Sequence, residues 1–360
     1  MHRQRRPLRL RPPGPPGLMV LLALALSGCY SGLAPQEGAS APTTADAGGS
    51  GETGGSGDPT SGGDPTGDDP TGGAVEFAPA PPRLRLLLAR QYRNSIAYLL
   101  GDAAAAAAAT PPDSAINGFE AIGAAQLALG DQAVDTYEKS ARAVAAAADD
   151  AILATYHTCV PTGPDDLACH KEFVANFGRV AWRRTLTQAE VDRYAAVGRD
   201  AALAFGSWDT GVEYAVAGLL QSPYFLYQVE VGEPDPDAPG ERRLTGVEIA
   251  TRMSFFLLDT TPTRELIDLA ESGGLATPDA VRDIALVMLD TPGARAALGN
   301  FFAELLRLRA LEHLPKDPGV YPAWSPALGA AMREETLRLI DDIAFVRDSD
   351  FRDILDAPYT

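Results

Sequence analysis

The sequence predicts an all-α protein, a multi-helix bundle of three small helical modules after a disordered linker. Three observations lead there. From about residue 83 onward apolar residues recur at helical spacing, as in Leu84, Leu87, Leu88, Tyr92, Ile96, Leu99 and Leu100. Helix-start signatures are written along the chain again and again. Alternating patterns are almost missing, and Leu226–Val231 is the one modest strand candidate.

Taken in order, residues 1–29 read as an export signal. Arg3, Arg5, Arg6, Arg9 and Arg11 form a basic start, followed by the apolar run Leu18–Leu26. That run is far shorter than the roughly 20 residues a membrane span needs. Leu26-Ser27-Gly28-Cys29 resembles a bacterial lipobox, which implies cleavage before Cys29 and acylation of that cysteine. Tyr30 stands where an aspartate would, by the same resemblance, hold the protein at the inner membrane. The expectation is an outer-membrane lipoprotein facing the periplasm or the cell surface. Without the five arginines of residues 1–29 the formal charge goes from −18 to −23. Such acidity disfavours nucleic acid and leaves the lipid as the only expected hold on a membrane.

Residues 30–80 repeat Asp-Pro-Thr at Asp58, Asp64 and Asp69 among glycines, with no Lys or Arg between 31 and 78. They have nothing to bury, so a disordered linker is expected. The three modules follow at 81–157, 158–232 and 241–360. Arg83–Leu100, Ala103–Ala109 and Gln132–Leu153 read as helices of the first. Thr187-Gln-Ala-Glu190 and Thr245-Gly-Val-Glu248 are capping boxes. Thr261, Thr277, Thr291 and Ser325 each stand before a proline that suits the first helical position. Gly273-Gly274 ends the helix expected from Thr261, and Ala296–Leu311 and Ala327–Val346 complete the set. Glu233–Gly240 cannot continue a helix and marks a boundary.

Chemistry is sparse. Cys159 and Cys169, flanked by His157 and His170, form the one promising constellation. In an oxidising compartment a disulfide is the leading account. A two-His, two-Cys zinc site lacks the tight Cys-x-x-Cys knuckle, and covalent haem lacks Cys-x-x-Cys-His. No cofactor or metal is therefore expected. Arg179, Arg183 and Arg184 around Trp182 are candidate contacts for an anionic ligand or a partner, against the plainer reading that they pair with carboxylates. Glu334-Glu335 and Asp341-Asp342 suggest acid–base work, yet adjacent helical positions do not face each other, and Glu334 suits a pair with Arg338. Tyr224, Phe225, Tyr227 and Trp208 suit either a glycan cleft or the core.

Several spaced stretches carry a resemblance. Leu87–Ser95 with Tyr98-Leu99-Leu100-Gly101 is similar to the RLT-x-x-E-Y-x-N-T opening of the planctomycete and myxobacterial PSD-type multi-domain family. Pro112-Asp113 and Gly118-Phe119-Glu120 fit the same domain. Phe173–Glu190 and Gln221–Tyr227 resemble a second domain; Leu244–Leu257, Met332–Thr336 and Ile354–Thr360 resemble a third. Leu88 and Gln91 stand where that family has Thr and Glu, and Thr185 where it has Pro. The resemblance implies an exported protein often associated with c-type cytochrome domains, here ending before the family's C-terminal domains, and it implies no catalytic site. The function expected is a helical scaffold or binding module docking an exported partner such as a cytochrome-like domain. The alternative is an exported enzyme, either a carboxylate-based glycan hydrolase or a redox enzyme working with a separate haem domain.

Overall fold

A computed structural model describes residues 83–125, 129–350 and 352–358. The expected export signal, Cys29, the expected linker and the final Tyr359-Thr360 lie outside them. The described chain is mainly helical, as its periodicity predicts. It opens, however, on a strand, β1 (Arg83–Leu86), before α1 (Ala89–Leu100). Helical spacing of the leucines misleads here, because β1 pairs antiparallel with β2 (Tyr227–Glu230), Arg83 opposite Glu230 and Leu86 opposite Tyr227. β2 lies within the strand candidate.

The first helices are α2 (Asp102–Ala107), α3 (Glu120–Ala124), α4 (Asp131–Ala146) and α5 (Asp150–Leu153). The expected Gln132–Leu153 helix is therefore two, because Asp149 turns its carboxylate onto the amides of Ala151 and Ile152 and starts a new one. Next come α6 (Leu167–Trp182), α7 (Gln188–Phe205), α8 (Trp208–Leu220) and α9 (Pro223–Leu226). The segment read as a boundary forms a short hairpin of β3 (Glu233–Pro234) and β4 (Arg242–Arg243), joined by the loop 235–241. The last helices are α10 (Gly246–Leu258), α11 (Arg264–Glu271), α12 (Pro278–Leu289), α13 (Pro292–Leu305), α14 (Pro326–Asp341) and α15 (Asp353–Asp356).

Both capping boxes form, at Thr187/Glu190 and at Thr245/Glu248. Thr277 and Ser325 cap with their hydroxyls, whereas Thr291 caps without its own, which donates to the Met288 carbonyl. Thr261 does not cap. Its helix begins three residues later with Thr263 at the cap, after an Asp259 in the left-handed region (φ 53°). Arg307 (φ 53°) likewise stops α13 short of Leu311, and α14 gives way to a π turn at Asp342–Val346.

One buried cluster takes Leu87, Tyr92, Ile96 and Leu99 from α1 and its approach, Phe173 and Phe177 from α6, Leu219 from α8 and Phe225 from α9. Phe255 and Ile267 join it, so it draws on all three predicted stretches. A second, smaller cluster gathers Ala250, Met253, Leu257, Ala270, Leu275 and Met288. No helix among the described residues is long and apolar enough to cross a membrane.

Candidate functional site

The Cys159–Cys169 disulfide is present, with Cα atoms 5.7 Å apart, well within bridging range. Cys169 is the third residue of α6, whose cap Asp166 accepts from the Cys169 amide at 3.1 Å. The other Asp166 oxygen accepts from the amide and hydroxyl of Thr162 at 3.1 and 3.0 Å. Further back in the loop, Glu172 accepts from the Thr158 amide and hydroxyl at 2.7 and 2.8 Å. Hydrogen bonds from these amides hold both carboxyls below the usual carboxylate range. The loop is thus tied to α6 at three places, of which the disulfide is only one.

The two histidines part company. His157 Nδ1 lies 3.0 Å from the Cys159 carbonyl oxygen and 3.7 Å from Cys159 Sγ. The ligand atoms of His157, Cys159 and Cys169 all lie within 4.8 Å of one another. His170 points the other way, fully buried, stacked on Trp208 at 4.0 Å with Nε2 3.1 Å from the Pro164 carbonyl oxygen. Its Nδ1 has no partner and faces Gly198, and burial pushes its pKa down.

Arg179 and Arg184 pair with carboxylates, whereas Arg183 does not. Arg179 on α6 donates to Asp268 and Glu271 of α11, both at 2.6 Å. Arg184 grips Glu190 with two nitrogens, at 3.0 and 2.7 Å, and lies 4.0 Å over the Tyr224 ring. Arg183, only 3% exposed, has no surface to offer an external ligand. It ends α6 in the left-handed region (φ 58°), and its Nη2 donates to the carbonyls of Tyr224, Phe225 and Tyr227 at 2.5, 3.1 and 2.8 Å. It thereby closes the exposed carbonyl end of α9 from inside the core. With no carboxylate to offset burial, its pKa falls to about 9.

The densest polar constellation is one that sequence reasoning missed. Arg90 on α1 donates to Asp259 at 2.9 Å and to Glu120 and Glu304 at 2.8 Å each. Arg309 reaches Glu120 as well. Asp259 also accepts from Gln91 at 3.1 Å and Asn300 at 3.0 Å, while Asn94 bonds its carbonyl. Burial works against the Arg90 charge, but Asp259, Glu304 and Glu120 outweigh it and raise its pKa. Burial raises Glu304 despite Arg90. Beside this network Asp113 accepts from the Ala89 amide with both oxygens, at 3.1 and 3.0 Å. It supplies to α1 the cap that the Leu88 side chain cannot, while Gln91 returns the other half of the box to the Leu88 amide at 3.2 Å. Arg90 and Asp113 both lie in the stretches that carry the family resemblance, and that was the one signal able to find them.

A groove of about 350 Å³ lies where α4, α7 and α8 meet. It is lined by the small residues Ala145, Ala146, Ala217 and Gly218, by Val197 and Tyr214, and by the polar Arg142, Glu213 and Gln221. Beside it Phe205, 60% exposed, stacks on Tyr214 at 5.5 Å.

The acid pairs on α14 do not converge. Glu334 pairs with Arg338 at 2.8 Å, Asp341 with Arg295 at 3.0 Å and Asp342 with Arg347 at 2.6 Å. Phe225 belongs to the core, Tyr224 lies under Arg184, and Trp208 under His170, so these aromatics form no common cleft. No curated protein and no solved structure matches the chain. Three family models do, each described as a protein of unknown function: PSD3 (DUF1587) over residues 85–150, PSD5 (DUF1595) over 169–230 and PSD4 (DUF1592) over 244–360. The β1–β2 ladder and the Arg90 network join what these matches cover separately. The chain thus carries in succession the PSD3, PSD5 and PSD4 domains of the planctomycete cytochrome-associated family, each of unknown function.

Proposed function

We propose that this chain is a lipid-anchored cell-envelope protein whose helical body is a binding module for an exported partner, a cytochrome-like domain by the family's association. The observation that carries the reading is the α4–α7–α8 groove, roomy enough for an apolar side chain or two and edged by Arg142, Glu213 and Gln221. Small lining residues beside Tyr214 suit a protruding apolar anchor, and the polar lining residues suit the hydrogen bonds that orient it. The exposed Phe205 extends that apolar surface beyond the groove. The anchor rests on the lipobox at Cys29 and the basic and apolar residues before it.

The rival reading as a carboxylate hydrolase has less support. Glu120, Asp259 and Glu304 do converge, but Arg90 and Arg309 already occupy them. The test of the binding reading titrates the protein with a purified exported c-type cytochrome domain from the same cell. Saturable binding is expected, weakened about tenfold or more by Ala146→Phe, a substitution at an exposed residue that lines the groove. Absence of binding to every such domain, or binding indifferent to Ala146→Phe, sinks it. Separately, the mass of residues 29–360 from membranes should exceed the polypeptide by its acyl groups, and Cys29→Ser should release the protein to the soluble fraction.

A further inference from the structure

We propose that reduction of the Cys159–Cys169 bridge converts this corner into a binding site for one thiophilic divalent cation, Zn²⁺ by its chemistry, held by Cys159, Cys169 and His157. Tetrahedral zinc with sulfur at about 2.3 Å and nitrogen at about 2.1 Å sets a nitrogen–sulfur edge of about 3.6 Å and a sulfur–sulfur edge of about 3.8 Å. His157 Nδ1 and Cys159 Sγ already stand 3.7 Å apart. One edge of the tetrahedron is therefore in place, all three ligand atoms lie within 4.8 Å of one another, and the two sulfurs have to separate. Cys159 is on the loop and partly exposed, so it moves more easily than Cys169, which is 1% exposed at the start of α6.

The loop does not drift off once the bridge opens. The Thr158–Glu172 and Thr162–Asp166 hydrogen bonds flank Cys159 on both sides and keep the thiols together. The half-exposed His157 gives up its bond to the Cys159 carbonyl and offers the Nδ1 lone pair instead. Water completes the fourth position. His170 takes no part, its Nδ1 being turned toward Gly198.

The electrons come from a dithiol. One of its sulfurs attacks the bridge and forms a mixed disulfide, and its second sulfur resolves that bond. The dithiol leaves oxidised, and Cys159 and Cys169 leave as two thiols. The cation then displaces both thiol protons. The site is closed to metal when oxidised and open to it when reduced, which makes it a redox-gated site.

The test uses the full chain carrying Cys29→Ser, so that only two thiols respond. It is reduced with a phosphine, desalted without air, and titrated with Co²⁺ alone and then with Zn²⁺ against a chromogenic chelator. The expected result is no uptake by the oxidised protein and one equivalent after reduction, with a thiolate-to-cobalt absorption band. Cys159→Ser and Cys169→Ser lose the band, and His157→Gln binds about tenfold more weakly or worse. Helical circular dichroism stays the same throughout. Absence of uptake after reduction overturns the proposal, as does equal uptake by the oxidised protein. Uptake indifferent to His157→Gln, or accompanied by loss of helix, overturns it too, because loose thiols then bind the metal.

Discussion

Asp113 and Glu190 both hold a helix start, one from afar and one from within. Asp113 accepts from the Ala89 amide with both carboxylate oxygens across 24 residues of sequence. Asp113→Ala should cost about 1–2 kcal/mol, read as a lower urea midpoint with an unchanged slope. Glu190 is gripped by Arg184 and then by Thr187, which together push its carboxyl down to about 2 from an ordinary 4.5. Its folded pKa lies below its unfolded one, so its contribution is fully present above pH 4.5 and fades as pH falls toward 2. For a partly exposed pair that amounts to about 1 kcal/mol. Glu190→Gln should remove that part of the acid sensitivity when unfolding is followed between pH 2 and 7. The contrast explains what was legible. A Thr-x-x-Glu box is written within four consecutive residues and was read directly. The Asp113 cap joins residues that nothing in local sequence connects, and Leu88, with no oxygen to offer, gave no hint that a distant carboxylate would stand in.

Among the elements, α7 and α8 cross most closely at Gly198 and Gly211. A Cβ on Gly211 would come within 2.6 Å of the Gly198 carbonyl oxygen, 2.7 Å of Ala202 Cβ and 2.8 Å of His170 Cε1. Neither backbone can give way without parting the helices, so Gly211→Ala should destabilise by about 3 kcal/mol or more. Ordinary helix propensity would instead favour the alanine by nearly 1 kcal/mol. A denaturant series on the two proteins decides between these opposite signs. Interior glycines in strong helical patterns are such a signal, but periodicity alone does not say which helix comes so near. The same limit made Arg83–Leu86 look helical, since leucine spacing cannot reveal that the strand's partner lies at Tyr227–Glu230. Breaks inside long runs, at Asp149 and Arg307, depend on one capping side chain and one left-handed residue, and the apolar pattern runs across both.

On the scale of the whole molecule, the Arg90 network fastens α1 and Glu120 to the last third of the chain. Arg90 pairs with three carboxylates, two of them nearly closed to water, and Arg309 shares Glu120 and Glu304 with it. Arg90→Ala leaves Asp259 and Glu304 buried without it and should cost about 3–5 kcal/mol. Arg90→Ala with Glu304→Gln and Asp259→Asn should recover part of that loss. Recovery of none would mean that packing of the arginine stem, not its charge, holds the parts together. The helical class and most helix starts were readable because each depends on nearby residues. The network was not, because partners such as Arg90 and Glu304 stand 214 residues apart and each resembles an ordinary surface charge.

The register of the small ladder has its own consequence. Arg83 stands opposite Glu230, so the chain comes into the stretch 83–230 and leaves it at nearly the same spot. A segment whose two ends meet can be lifted from one neighbour and set into another without rerouting its interior, or closed on itself and reopened elsewhere. A circular permutant that links Glu230 to Arg83 through a short glycine bridge and takes new ends at the exposed turn around Gly206 should keep the same helices. The ladder thus makes this stretch a portable cassette, suited to recombination among proteins that share one part of this architecture and differ in the rest.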